Sequence, residues 1–150
     1  MSGSPTFQRL SKESLEEHRQ IHFYLDQITQ TLELLTPDLD DVEPMRRLAA
    51  QLGGLLERLA EHQRIEEGGL FRAVLDLLPG QRVEIDRLAN QHGRMVEILE
   101  VAKLHALEVE PSGAVELRDD LAGFLETFRE HELAEEELLA QAIEKERGEL

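Results

Sequence analysis

Two segments of this chain repeat one pattern. His62-Gln63-Arg64-Ile65-Glu66 and His131-Glu132-Leu133-Ala134-Glu135 each set a glutamate four residues after a histidine. Residues four apart share a helix face, so each segment can offer an imidazole nitrogen and a carboxylate oxygen in one direction. His18 and His92 each precede one of these segments, so the pattern H … HxxxE is written twice. Imidazole nitrogen with carboxylate oxygen suits iron, manganese or zinc. The absence of cysteine removes thiolate sites and disulfides from consideration. Two carboxylates that bridge two cations would balance charge in a low-dielectric interior; without cations they would repel each other or take up protons. The doubled pattern predicts two metals related by a pseudo-twofold axis. Its donors are His18, His62, Glu66, His92, His131 and Glu135.

A lone core histidine is more often a hydrogen-bonded packing residue than a ligand. It is the repetition, with two further histidines, that carries the metal reading. His22 follows His18 by four residues and shares its face, so it is a candidate fifth imidazole; the alternative is a core or rim histidine bonded to a neighbour. Its counterpart after His92 is Val96, which has no atom to offer a metal. Glu136 competes with Glu135 as the carboxylate of the second segment. His105, 13 residues past His92 and turned well away from it, reads as a surface residue.

Donors that converge from separate parts of a chain need rigid elements to aim them. Breaks fall at Pro37 with Asp38, Asp40 and Asp41, at Pro79-Gly80, and at Pro111-Ser112-Gly113. Between them lie four amphipathic stretches, at about 11–36, 44–78, 81–110 and 114–147, after an N-terminus (1–10) expected to be flexible. Ser11 and Ser14 with Glu13 read as start signals for the first, Asp41 and Pro44 for the second, and Ser112 for the fourth. The expected apolar stripes run through Leu15, Leu25, Ile28, Leu32 and Leu35; Leu48 to Leu77; Ile85 to Leu99; and Leu117 to Leu139. Nothing alternates with period two, so no strand is expected. Short connections force antiparallel neighbours, and the predicted fold is all-α: one up-down-up-down antiparallel four-helix bundle over residues 11–147. Gly53-Gly54 and Gly68-Gly69 interrupt the second helix at about 1 kcal/mol each relative to alanine, which implies a kink or a close helix contact.

The four histidines continue these stripes, so they point into the core. Residues equidistant from an antiparallel turn lie at equal height. His18 and His62 are each 22 residues from Asp40, and His92 and Glu66 are each 13 from Pro79. His92 and His131 lie 20 and 19 residues from Ser112. At about 1.5 Å rise per residue, the donors of all four helices fall within about a turn of one level.

The remaining composition is that of a helical bundle: no Trp, one Tyr, and a formal charge of -16. Such a surface repels phosphate backbones and anionic lipid, so neither nucleic acid nor membrane is an expected partner, while cations are drawn in. No apolar run approaches the roughly 20 residues of a membrane span, and Met1 to Leu10 has no apolar core like that of a secretory signal; the expected location is cytoplasmic.

On Glu17-His18, His62 through Glu66-Glu67, Gln91-His92 and His131 through Glu135-Glu136, the chain resembles the hemerythrin-like family, also described as HHE cation-binding domains. The resemblance covers about 11–147 and implies a four-helix bundle around a non-heme di-iron centre. It implies Glu66 and Glu135 as bridges, an oxo or hydroxo bridge beside them, and His18, His62, His92 and His131 as terminal ligands. There are departures. Oxygen carriers of this kind have HxxxH on the third helix, where this chain has His92-Gly93-Arg94-Met95-Val96, and an aspartate five residues after the fourth-helix histidine, where it has Glu136. His18-Arg19-Gln20-Ile21-His22 places an HxxxH on the first helix instead. These departures point away from reversible oxygen carriage.

The expected function is that of a non-heme di-iron binding protein, with two Fe ions (Mn or Zn as substitutes), taking oxygen, nitric oxide or iron itself for sensing, storage or protection. The apolar wall expected around the site is Phe128, Leu59 and Leu88. The alternative is a di-iron enzyme acting on peroxide or nitric oxide, with Tyr24 or His22 as proton donor. A third reading is a structural bundle with zinc or no metal.

Overall fold

A computed structural model describes residues 5–35, 43–108 and 113–148. The expected signals at Pro37 to Asp41 and at Pro111-Ser112 lie outside the described residues. Helix α1 is Pro5–Leu32, α2 is Glu43–Ile65, α3 is Phe71–Leu77, α4 is Arg82–Leu107 and α5 is Gly113–Glu146. A π turn, Glu66–Leu70, joins α2 to α3 without leaving helical backbone angles, so these pieces make one rod. The bundle therefore has four rods, and no strand occurs among the described residues. Cross-contacts fix the directions. Gln8 reaches Glu146 while Arg118 reaches the Leu32 carbonyl, so α1 and α5 run antiparallel. Gln63 reaches the His92 carbonyl and Lys103 lies near Gly53, so α2 and α4 do the same. No described helix is long and apolar enough to cross a membrane.

α1 begins earlier than expected. Phe7 and Leu10 are buried against α3 and α5, and that packing holds the segment after Pro5 as helix. The inner face of α1 runs Phe7, Leu10, Ser14, His18, Ile21, Leu25 and Ile28. Ser11 and Ser14 are therefore buried interior residues rather than start signals, and Leu15, expected inside, is 47% exposed. The other three stripes are buried largely as expected.

In each pair one glycine meets a close side chain from α1; a Cβ on Gly69 would lie 3.0 Å from Leu10 Cδ1. A Cβ on Gly54 would lie 2.6 Å from the Tyr24 ring, so this glycine lets that ring cross α2. Gly68 and Gly69 lie in the π turn, where the Phe71 N–H bonds the Glu66 carbonyl. The turn absorbs a sequence feature. His62, Glu66, Leu70 and Val74 are all buried, at three successive steps of four. Each such step over-rotates an α-helix by about 40°, and a wider turn takes up the excess. Short π segments of this kind recur at functional sites.

The core has two apolar halves. One contains Ile21, Leu25, Leu52, Leu59, Met95 and Phe128 among others; the second contains Phe7, Leu10, Leu70, Phe71, Leu88 and Leu138. Between them, on every rod, comes a buried histidine or glutamate.

Candidate metal centre

The buried layer contains six of the seven predicted donors. His18, His62, Glu66, His92, His131 and Glu135 are all 5% exposed or less. α1 contributes His18, and α2 gives His62, with Glu66 at the first position of the π turn. α4 contributes His92, and α5 gives His131 and Glu135. Ligand atoms of Glu66, His92, His131 and Glu135 lie within 4.8 Å of one another, as do those of His18, His62 and Glu135.

Glu135 belongs to both groups through different oxygens. Its Oε1 is 3.0 Å from His131 Nε2. Its Oε2 is 3.1 Å from His18 Nε2 and 3.6 Å from His62 Nε2. Glu66 Oε1 also stands between two imidazoles, 2.9 Å from His62 Nε2 and 3.0 Å from His92 Nε2. Glu136, the competing carboxylate, is exposed while Glu135 is 2% exposed.

Electrostatics favour lone pairs over N–H groups here. Burial, and then neighbouring His62, lowers His18 below its ordinary value. Burial pushes His131 down to about 3 against the pull of Glu66, so its ring is neutral near pH 7. Burial opposes ionisation of Glu66, but the closeness of His62 and His92 outweighs it and holds the carboxyl at about 2. Gln91 Oε1 accepts from His131 Nδ1–H at 2.7 Å. A neutral imidazole has one N–H, so His131 Nε2 presents a lone pair to Glu135 Oε1. Two donors about 2.1 Å from one cation and at about a right angle lie about 3 Å apart, which is the spacing found. Glu66 Oε1 and both ring nitrogens of His92 have no aligned hydrogen-bond partner among the described residues. Buried polar atoms left this way cost about 1–3 kcal/mol each, and cations would satisfy them. The donor set fits metal ions on both grounds.

His22 does not join this layer. Its side chain is 54% exposed and its Nε2 lies 2.8 Å from Glu132 Oε2. The inner face of α1 continues from His18 by a step of three, to Ile21, and this turns His22 outward. His105 is half-buried rather than fully exposed, because Asp120 faces it across the α4–α5 seam, with Oδ2 2.7 Å from Nδ1. Both lie outside the buried groups.

Gln91 and Gln63 had no role in the sequence reading. Gln91 fixes the tautomer of His131, and Gln63 donates to the His92 carbonyl at 3.1 Å. The one available signal for Gln91 was its place beside His92.

A cavity of about 10 Å³ adjoins Glu66 and Glu135. Leu70, Phe71, Val74, Leu88, Leu138 and Leu139 line the rest of it. Of the expected wall, Leu88 lines this space, whereas Leu59 and Phe128 belong to the other apolar half.

The model of one family, described as Hemerythrin HHE cation binding domain, matches residues 6–143. No curated protein and no solved structure matches the chain.

Proposed function

The chain belongs to the hemerythrin HHE cation binding domain family, and on that premise we propose that it is a non-heme di-iron protein of hemerythrin-like type. It binds oxygen, nitric oxide or iron itself for sensing, storage or protection. One observation carries the di-metal reading: the two oxygens of Glu135 face different imidazoles, one toward His131 and the other toward His18 and His62. One carboxylate can therefore span two cations. His18 and His62 would hold one ion and His92 and His131 the other, with Glu66 as second bridge. Ferrous ions bound there would supply electrons and Lewis acidity to a diatomic molecule.

The chain's own part is to orient and to exclude water. Gln91 keeps the His131 lone pair inward. The small cavity beside Glu66 and Glu135 is otherwise apolar, which suits a diatomic and disfavours larger substrates. The enzyme reading has less support. Tyr24 packs across Gly54, and His22 is tied to Glu132 outside the buried layer. Neither residue lines the cavity.

Anaerobic loading with ferrous iron, metal counted per chain, and a visible spectrum on adding oxygen and then removing it tests this function. The expected result is about two irons per chain and a colour change on oxygenation. Reversal of the colour marks binding, whereas continued consumption of peroxide or nitric oxide marks turnover. One iron or none would overturn the di-iron proposal.

A further inference from the structure

His18 belongs to a second donor set. Besides His62 and Glu135, it shares a group with Glu132 and Glu136, whose ligand atoms all lie within 4.8 Å of one another. Burial in this set is graded: Glu136 is exposed, Glu132 is half-buried and His18 is 5% exposed. His22 adds an exposed imidazole whose Nε2 lies 2.8 Å and 3.0 Å from the two oxygens of Glu132. His18 turns its Nε2 to the inner layer, 3.1 Å from Glu135 Oε2. Its other ring nitrogen, Nδ1, is buried and has no hydrogen-bond partner among the described residues.

We propose that Glu132 and Glu136, with His18 behind them and His22 against Glu132, form an outer cation site on the α1–α5 seam that loads divalent metal into the buried centre through His18. This rests on the buried layer being a metal centre. The chemistry is suitable: two carboxylates and an imidazole bind a hydrated ferrous-type cation loosely and let it exchange water for protein donors. The net charge of -16 brings cations to the surface, and the outer set gives them a place next to a ligand of the inner one. Among the four buried rings His131 and His18 differ. His131 has its outer nitrogen locked by Gln91, whereas His18, like His62 and His92, has no hydrogen-bond partner at Nδ1 among the described residues, and of these it is the ring that also belongs to the outer set.

Stopped-flow mixing of the metal-free full chain with Co(II), followed by its visible absorbance and by metal per chain at equilibrium, tests the proposal. Glu132→Gln/Glu136→Gln and, separately, His22→Ala are compared with the wild type. Glu97→Gln/Glu100→Gln, two exposed carboxylates on α4, makes the same charge change elsewhere. The outer variants should load about tenfold more slowly yet reach the wild-type number of tightly held ions. Weak binding of one further cation should be lost. Circular dichroism checks folding, and His22→Ala, on an exposed side chain, keeps the test open if the double variant misfolds. A wild-type loading rate in His22→Ala and in a folded double variant would overturn the proposal. So would equal slowing by the α4 control, which would reduce the effect to general charge. Failure of the wild type to bind Co(II) would instead sink the inner metal centre.

Discussion

Glu135→Gln is the most informative single change. It keeps the volume of the side chain and removes its charge, so the apolar halves on either side stay packed. Because Oε1 faces His131 and Oε2 faces His18 and His62, the proposed two-cation centre requires that the substitution weaken both positions, not one. A ligand at about 100 times its dissociation constant stabilises the folded state by about 2.7 kcal/mol, so two positions give about 5 kcal/mol. Losing a charged bridging oxygen at each costs at least as much as removing a ligand's outer hydrogen-bond partner, about 10–100-fold in affinity, or about 1.4–2.7 kcal/mol per position. The sum, about 3–5 kcal/mol, corresponds to a fall of roughly 6–20 °C in the metal-loaded Tm for a chain of this size. The assay is thermal unfolding under anaerobic conditions with chelator and with excess ferrous iron, alongside metal per chain. His131→Ala should lose one binding step and about half of the cation-dependent shift. Should Glu135→Gln keep two ions and the full shift, the shared-carboxylate reasoning fails.

Gln91→Leu should lower affinity at the His92–His131 position by about 10–100-fold, because His131 Nδ1 loses the acceptor that sets its tautomer; Gln91→Glu should restore most of it, as read by calorimetric titration. Gly54→Ala drives a methyl into the Tyr24 ring and should cost about 1–3 kcal/mol in urea unfolding; Gly54→Ala/Tyr24→Leu should recover much of that, and a neutral single variant would refute the contact. The metal-free protein should be acid-labile. His131 is held at about 3 against an ordinary 6.5, so the unfolded chain takes up a proton that the folded one resists. Stability is then full above about pH 6.5 and falls toward pH 3 by about 1.4 kcal/mol per unit. Glu66, at about 2 against 4.5, adds to the loss below pH 4.5. Unchanged stability of the chelated protein between pH 7 and pH 5 would contradict the burial of these rings.

The four-rod fold and the level of the buried layer were legible because heptad-like stripes, turn residues and matched distances from the turns all constrain the same geometry. The doubled HxxxE was legible because a step of four stays on one face, so His62 with Glu66 and His131 with Glu135 had to point together. A single step could not settle His22. After His18 the inner face can continue at either three or four, and Ile21 takes the inner position by packing against the apolar half beyond it. Phe7 and Leu10 were hidden by a polar N-terminal composition, and their burial depends on partners on α3 and α5, far along the chain. The π turn was encoded in the three successive steps of four from His62 to Val74, but that signal is read only once all four residues are known to face inward. Gln91 was invisible as a positioning residue because its role depends on which nitrogen of a histidine on another helix faces it.

The polar layer crosses the whole width of the bundle and parts the greasy interior into two compartments, each spanned by all four rods. Contact across such a seam rests on carboxylate–imidazole pairs and unpartnered ring nitrogens, so bound cations would also weld the compartments into one cooperative unit. Stripped of metal, the molecule should melt as two loosely coupled blocks, and amide hydrogens on either side of the seam should exchange with separate protection. Loaded, both blocks should share one opening energy, and the bound ions then govern how the chain unfolds as well as what it can bind.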